Sequence, residues 1–233
     1  MDKKKIFAWL NVVFGALVLI GMTCYLNYGG RDMKAICCAT FVLLSGVNLA
    51  YSLCSGTGRK YAVIMFLGAV FGWLGDVLLG VNFILGAGMF AVGHVLYAAA
   101  FCAISRIRKA DLVLTGVILA GTAALILLYP KFNFGGTLMQ AVCLNYGLII
   151  SCMVGKAVSG GIREMSLPMI IMAVGSVLFY FSDLMLVLRY FAGAPRIADR
   201  LCLLTYFPAQ GLLASSVYFY VNKEKNDECT HRS

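Results

Sequence analysis

Eight long apolar runs alternate with short polar or glycine-containing breaks along the chain. They cover roughly residues 6–26, 35–54, 61–80, 84–104, 111–129, 137–155, 168–188 and 201–221. Each run is close to the ~20 residues that a helix needs to cross a bilayer. The runs show no period-two alternation and are too long for barrel strands. The pattern predicts an all-α, polytopic membrane protein with eight transmembrane helices in a single integral membrane domain, residues 1–233.

Composition supports this class and excludes others. Of the 233 residues, 61% are hydrophobic and only 12% are charged, about half the charged fraction of a soluble domain. An ordinary soluble enzyme, a disordered chain and a disulfide-stapled secreted module are therefore excluded. Eight of the nine cysteines lie in apolar runs and none forms a C-x-x-C pair. They are interpreted as packing residues, and neither a metal site nor a cofactor is predicted.

The net charge of +9 reflects topology, because the basic residues form short clusters between apolar runs. No basic stripe interleaved with aromatic residues occurs, so a nucleic-acid partner is not expected. The face with the termini and the breaks after runs two, four and six holds 13 Lys or Arg, and the other face holds six. The positive-inside rule then predicts cytoplasmic termini, in the plasma membrane if the protein is bacterial. The first run is too long for a signal peptide and is interpreted as a retained span.

A weak internal repeat links runs three and seven. Gly68 precedes Asp76 by eight residues, Gly175 precedes Asp183 by the same interval, and a small residue stands directly before each aspartate. The offset of 107 residues also carries run one onto run five. It suggests two four-helix halves related by an axis along the membrane normal, although chance similarity between glycine-rich spans would explain it equally.

Only three ionisable residues lie well inside the apolar runs: Asp76, His94 and Asp183. Each aspartate is 15 residues into its run, so both are expected about 22 Å from the cytoplasmic boundary. Such groups are costly in a bilayer and usually functional. One reading is a pair of carboxyl groups facing one cavity, one protonated and the other ionised. The other is that each aspartate only hydrogen-bonds a neighbouring helix or pairs with Arg189 or Arg200 at the outer mouth.

His94 is either a site residue or a donor that bridges two helices. Several other polar side chains lie within reach by helical spacing. Tyr97 follows His94 on the same face of run four, and Gln210 follows Tyr206 on the same face of run eight. Tyr146 lies within run six. Taken singly, an intramembrane tyrosine more often serves packing or interface anchoring.

These positions together resemble a known family. Run three carries Gly75-Asp76, run four carries F-x-x-G-x-x-x-F-x-x-x-H-x-x-Y from Phe83 to Tyr97, and run seven carries F-x-x-S-D from Phe179. Run eight adds Tyr-x-x-x-Gln at Tyr206. The set is similar to the YhhN family, which includes the animal transmembrane lysoplasmalogenases. Pro208, inside the last segment, departs from that pattern.

The resemblance implies hydrolysis of the vinyl ether bond of lysoplasmalogen to a fatty aldehyde and glycerophosphoethanolamine or glycerophosphocholine. The partners would be a lysophospholipid substrate and membrane lipids. The family aspartates fall on Asp76 and Asp183 as the catalytic pair. The accompanying supporting or substrate-binding positions are His94, Tyr97, Tyr146, Tyr206 and Gln210.

The chemistry suits two carboxyl groups. Protonation of the vinyl ether carbon gives an oxocarbenium ion, so the reaction needs an acid, a nearby negative charge and a positioned water. Two rival functions remain open. A small transporter or channel could use the aspartates for proton or cation coupling, and a lipid-binding scaffold would use them without chemistry.

Overall fold

The protein is a bundle of eight α-helices. The computed structural model describes residues 3–230 and contains no strand among them. The helices are α1 (Lys3–Tyr28), α2 (Arg31–Ser55), α3 (Arg59–Leu79), α4 (Phe83–Ile104), α5 (Lys109–Leu128), α6 (Thr137–Glu164), α7 (Leu167–Phe191) and α8 (Ile197–Thr230). Each is long and apolar enough to cross a bilayer, which confirms the predicted fold class. The cytoplasmic placement of the termini stays a prediction.

Short caps and glycine turns separate the helices. Gly56 ends α2 in the left-handed conformation, which glycine adopts without a steric penalty. Asn82 caps α4, its side-chain oxygen accepting hydrogen bonds from the Ile84 and Leu85 amides at 2.9 and 3.2 Å. Pro208 lies inside α8, which continues to Thr230. The helical register therefore survives at the position where the sequence departs from the family pattern.

Two helices extend well beyond the apolar runs that predict them. α6 continues past residue 155 to Glu164, and α8 continues past residue 221 to Thr230. In α6 the extension carries Lys156, which is buried and donates to Asp111 Oδ2 at 2.8 Å and to the Arg106 carbonyl at 2.8 Å. Arg163 adds a second contact to Asp111 at 3.4 Å. The α6 extension thus buries a cluster of charged side chains away from the aspartate pair.

Some of the helix contacts repeat in the second half of the chain. Consecutive helices pack together within both halves, and the contact between α2 and α8 is matched by one between α6 and α4, whereas the contacts of α8 with α1 and α3 have no counterpart at α4 among the described residues. A shift of four helices relates these two contacts. Two four-helix halves remain an interpretation, which this arrangement supports.

Glycines set the distance between α3 and α4. A Cβ added at Gly68 would lie 2.6 Å from the Tyr97 ring, and one at Gly75 would lie 2.7 Å from the Phe90 ring. A Cβ at Gly86 would lie 2.5 Å from Leu79 Cα. Close backbone approach through small residues is a common means of packing helices in membranes. It brings His94 of α4 and Asp76 of α3 into one region of the bundle.

We expect Gly86→Ala to lower the free energy of unfolding by about 1–3 kcal/mol, the usual cost of overpacking. The added methyl would meet the Leu79 backbone, which cannot rotate away. Gly88→Ala is the matched control, because a Cβ at Gly88 meets nothing within 4 Å. Thermal unfolding of both variants in the same detergent measures the difference. Equal midpoints would show that the α3–α4 contact is more adaptable than its geometry indicates.

Candidate active site

Asp76 lies in a polar network built from α2, α3 and α8. The residue is 3% exposed. Its Oδ1 is 2.9 Å from Lys34 Nζ, and its Oδ2 accepts a hydrogen bond from the Tyr206 hydroxyl at 2.6 Å. Both carboxylate oxygens are thus engaged, one by a cation and one by a hydroxyl donor.

A chain of hydrogen bonds continues from Tyr206. Gln210 Nε2 donates to the Tyr206 oxygen at 3.2 Å, and the Tyr97 hydroxyl donates to Gln210 Oε1 at 2.7 Å. Gly72 makes room for this amide, because a Cβ there would lie 2.6 Å from Gln210 Nε2. Every donor in the chain is oriented toward Asp76.

Asp183 lies in a second network, built from α4, α6 and α7. Its Oδ2 accepts a hydrogen bond from the Tyr146 hydroxyl at 2.6 Å and is 3.2 Å from His94 Nε2. His94 Nε2 and the Tyr146 oxygen are 2.8 Å apart. Among residues 3–230, no cation other than the potentially charged His94 ring contacts this carboxylate, and none of the described hydrogen bonds involves its Oδ1. Asp183 therefore differs from Asp76 in having one unengaged oxygen.

The buried ring of His94 fits the neutral form in this arrangement. Its Nδ1 is buried without a hydrogen-bonding partner in the described part of the chain. An imidazolium would leave an N–H unpaired there, whereas a neutral ring protonated at Nε2 leaves only a lone pair. In that tautomer Nε2 donates toward Asp183 Oδ2. Asp183 is then held by two neutral donors, while Asp76 is paired with an ammonium.

Aromatic rings join the two networks. The Phe179 ring is 4.6 Å from the His94 ring and 5.2 Å from the Tyr206 ring, measured between centroids. Phe90 packs edge-on against both Phe179 and Tyr206. No hydrogen bond links the two carboxylates within residues 3–230. The Phe179 ring nevertheless contacts one partner of each carboxylate, His94 and Tyr206, so the two networks share one region of the bundle.

Asp183 lines two cavities, and Asp76 lines neither. The first, of about 20 Å³, lies between α3, α4, α6 and α7 and is otherwise surrounded mainly by apolar side chains. The second, of about 40 Å³, lies between α5, α6 and α7 and shares Cys143, Tyr146 and Val187 with the first. We expected both carboxyl groups to face one cavity, but only Asp183 borders these two cavities. Asp76 instead has both oxygens occupied by protein donors.

The two aspartates occupy corresponding places in the bundle. Asp76 is 17 residues after the start of α3, and Asp183 is 16 residues after the start of α7, which is about 26 and 24 Å along each helix. The partners of Asp76 come from α2 and α8, and those of Asp183 come from α6 and α4. The same shift of four helices relates these pairs, so each half completes its aspartate with a helix from the other.

The structure places all the predicted site residues in these two networks. Their members are Asp76, Tyr206, Gln210 and Tyr97 in the first, and Asp183, His94 and Tyr146 in the second. Lys34 was missed, because its position at the edge of the second apolar run reads as a boundary charge. Arg189, considered as a partner for the aspartates, instead pairs with exposed Asp199 at 2.8 Å.

The comparison with known families rests on most of the chain. The model of the YhhN family matches residues 33–217, a range that includes both networks and Lys34. The chain belongs to the YhhN family. No solved structure matches it. Within residues 3–230, no cluster of three or more His, Cys, Asp or Glu side chains could hold a metal ion.

Proposed function

We propose that this YhhN-family protein is an intramembrane hydrolase that cleaves the vinyl ether bond of lysoplasmalogen. The observation that carries the proposal is the different setting of two buried carboxyl groups. Asp183 borders an apolar cavity with one oxygen unengaged, and Asp76 is held by a cation and a hydroxyl. Family membership and the resemblance to the transmembrane lysoplasmalogenases support the same reaction.

Asp183 is the proposed proton donor. A proton on its unengaged oxygen faces a site that apolar side chains shield from water, while Tyr146 and His94 hold the other oxygen. Transfer of this proton to the alkenyl carbon remote from the ether oxygen forms a C–H bond at the expense of the double bond. The product is an oxocarbenium ion, and Asp183 becomes a carboxylate.

Asp76 is the proposed source of fixed negative charge. A carboxylate in a low-dielectric region stabilises a developing cation more strongly than it would in water. Water then adds to the oxocarbenium carbon, and its proton returns to Asp183. The hemiacetal collapses as its hydroxyl loses a proton and forms the aldehyde carbonyl, the bond to the glycerol oxygen breaks, and that oxygen takes up the released proton. One water is consumed, and one aldehyde and one alcohol are released.

Lys34 is the proposed contact for the substrate phosphate. Its side chain is 19% exposed, and its ammonium offers three donors, of which one is directed to Asp76. It lies in the first turn of α2, at the end of the bundle where α3 and α7 finish. A phosphate bound there would attract the Lys34 ammonium and weaken its pairing with Asp76. The negative charge of Asp76 would then be more available to the cation that forms on the substrate.

We expect the purified protein to release aldehyde from lysoplasmalogen and none from the same lipid with a saturated alkyl ether chain. In D₂O, one deuterium should appear on the carbon next to the aldehyde carbonyl, because that carbon receives the proton in the first step. The free aldehyde incubated alone controls for exchange by enolisation. Mass spectrometry of the trapped aldehyde makes the measurement.

The main alternative is a proton- or cation-coupled transporter. The same preparation, reconstituted into vesicles, distinguishes the two functions. A folded protein that releases no aldehyde but moves protons or cations across the vesicle membrane would replace the hydrolase proposal by the transporter.

A further inference from the structure

A groove on the outside of the bundle lies between α4 and α6. We call it the lateral groove. It has a volume of about 320 Å³. Six residues that define its walls are Ile84, Gly88, Ala91, Leu138, Ala141 and Asn145. Ile84 and Leu138 are 42% and 71% exposed, so the groove opens onto the surface that faces the hydrocarbon of the bilayer.

The lateral groove lies next to the first cavity beside Asp183, which we call the inner cavity. Ala87, Val142 and Tyr146 border both spaces. Tyr146 is also the side chain that donates to Asp183 at 2.6 Å. The two spaces therefore share a wall between α4 and α6, with the bilayer on one side and the proposed proton donor on the other.

The lining of these two spaces indicates their ligand. Asn145 and Tyr146 are the only polar side chains among the residues that surround the lateral groove, and no charged residue is among them. The inner cavity adds only Asp183 as a charged group. A phosphate or an ammonium would lose its hydration in such a passage without gaining a partner, whereas a hydrocarbon chain would lose nothing.

We propose that the lateral groove and the inner cavity form one channel that admits the hydrocarbon chain of a single-chain lipid directly from the bilayer. The inference rests on the proposed function and adds the binding site of the chain. The vinyl ether is the first unsaturated bond of that chain, where hydrocarbon meets the polar glycerol. A chain lying in the channel places this bond at Asp183, which borders the inner cavity.

Gly88 offers a direct test, because it lines the groove and a Cβ added there meets nothing within 4 Å. Gly88→Leu would place a side chain at the groove from a position where the added Cβ meets no protein atom. Gly121→Leu is the matched control, since Gly121 is also helical and equally open but lies on α5, outside the groove. Ala141→Leu, on the α6 wall, provides a second obstruction.

The probe is a lysophospholipid with a saturated alkyl ether chain that carries a diazirine and contains no vinyl ether. Photo-labelled peptides are mapped by mass spectrometry. In wild type and Gly121→Leu we expect labels on the inner-cavity residues Val142, Cys143 and Val187. In Gly88→Leu and Ala141→Leu these labels should fall about tenfold, as expected when methylenes obstruct an apolar site. Unchanged inner-cavity labelling in both groove variants, or none in wild type, would overturn the channel.

Hydrolysis provides an independent readout. We expect Gly88→Leu to lower kcat/KM about tenfold for a long-chain lysoplasmalogen and Gly121→Leu to leave it unchanged. If wild type does not hydrolyse this lipid, the proposed function fails, and the labelling pattern still decides the channel. If hydrolysis is intact and labelling is the same in all variants, the channel fails and the proposed function stands.

Discussion

Asp183→Asn is expected to reduce aldehyde release by about a thousandfold, within the range that general acids contribute to catalysis. An amide keeps the size and the hydrogen-bonding partners of the side chain, because Tyr146 can still donate to its oxygen. It cannot supply a proton to carbon. Since this proton transfer is the difficult step of vinyl ether hydrolysis, no other group in the cavity replaces the lost function.

Asp199→Asn is the matched control for this variant. Asp199 also pairs with a side chain of the bundle, Arg189, but both residues are well exposed. Its removal should leave the rate within about twofold of wild type, because exposed ion pairs contribute little free energy. Size-exclusion profiles and thermal midpoints establish that both variants are folded. An Asp183→Asn variant that keeps a tenth or more of the wild-type rate would remove Asp183 from the role of proton donor.

Lys34→Met is expected to lower the free energy of unfolding by about 3 kcal/mol, the scale for losing one partner of a buried ion pair. The variant leaves Asp76, whose side chain is 2% exposed, as an uncompensated buried charge. The double variant Lys34→Met/Asp76→Asn should recover most of this loss, because it removes the stranded charge as well. Unfolding of all three proteins in one detergent gives the coupling between the two positions.

Lys131→Met controls for the loss of an exposed lysine, and we expect it to match wild type. The distinguishing result is the order of the variants. A single Lys34→Met variant as stable as Lys131→Met, or a double variant no more stable than the single, would mean that the Lys34–Asp76 contact contributes nothing to the folded state.

The sequence identifies the two aspartates as candidate site residues because charged groups are rare within membrane-spanning runs. A carboxyl group within a long apolar run has few explanations, and helical periodicity places both at similar depth. His94 follows for the same reason. The eight helices follow from the length of the apolar runs. The extensions of α6 to Glu164 and of α8 to Thr230 do not, because hydropathy reflects the environment of a helix and not the residue at which its hydrogen bonding ends.

The pairing of side chains is less accessible to sequence. Tyr146 and Tyr180 are both tyrosines within apolar helices, yet only Tyr146 contacts Asp183, while the Tyr180 hydroxyl lies 2.7 Å from Thr122 Oγ1. Helix rotation and distance decide between them, and both depend on contacts distant in the chain. Lys34 was missed for a related reason, since a lysine at a helix start has the same pattern whether it reaches headgroups or a buried carboxylate.

The side-chain amide of Gln210 determines whether protons can pass along one series of hydrogen bonds in the bundle. Two buried carboxyl groups with hydroxyls beside them could form part of a hydrogen-bonded path along which protons cross the membrane. An amide does not readily release its hydrogens. The series of hydrogen bonds from Tyr97 to Asp76 therefore aligns polar groups but does not pass protons along it. A proton at the Tyr97 hydroxyl therefore has no route to Asp76 through this amide.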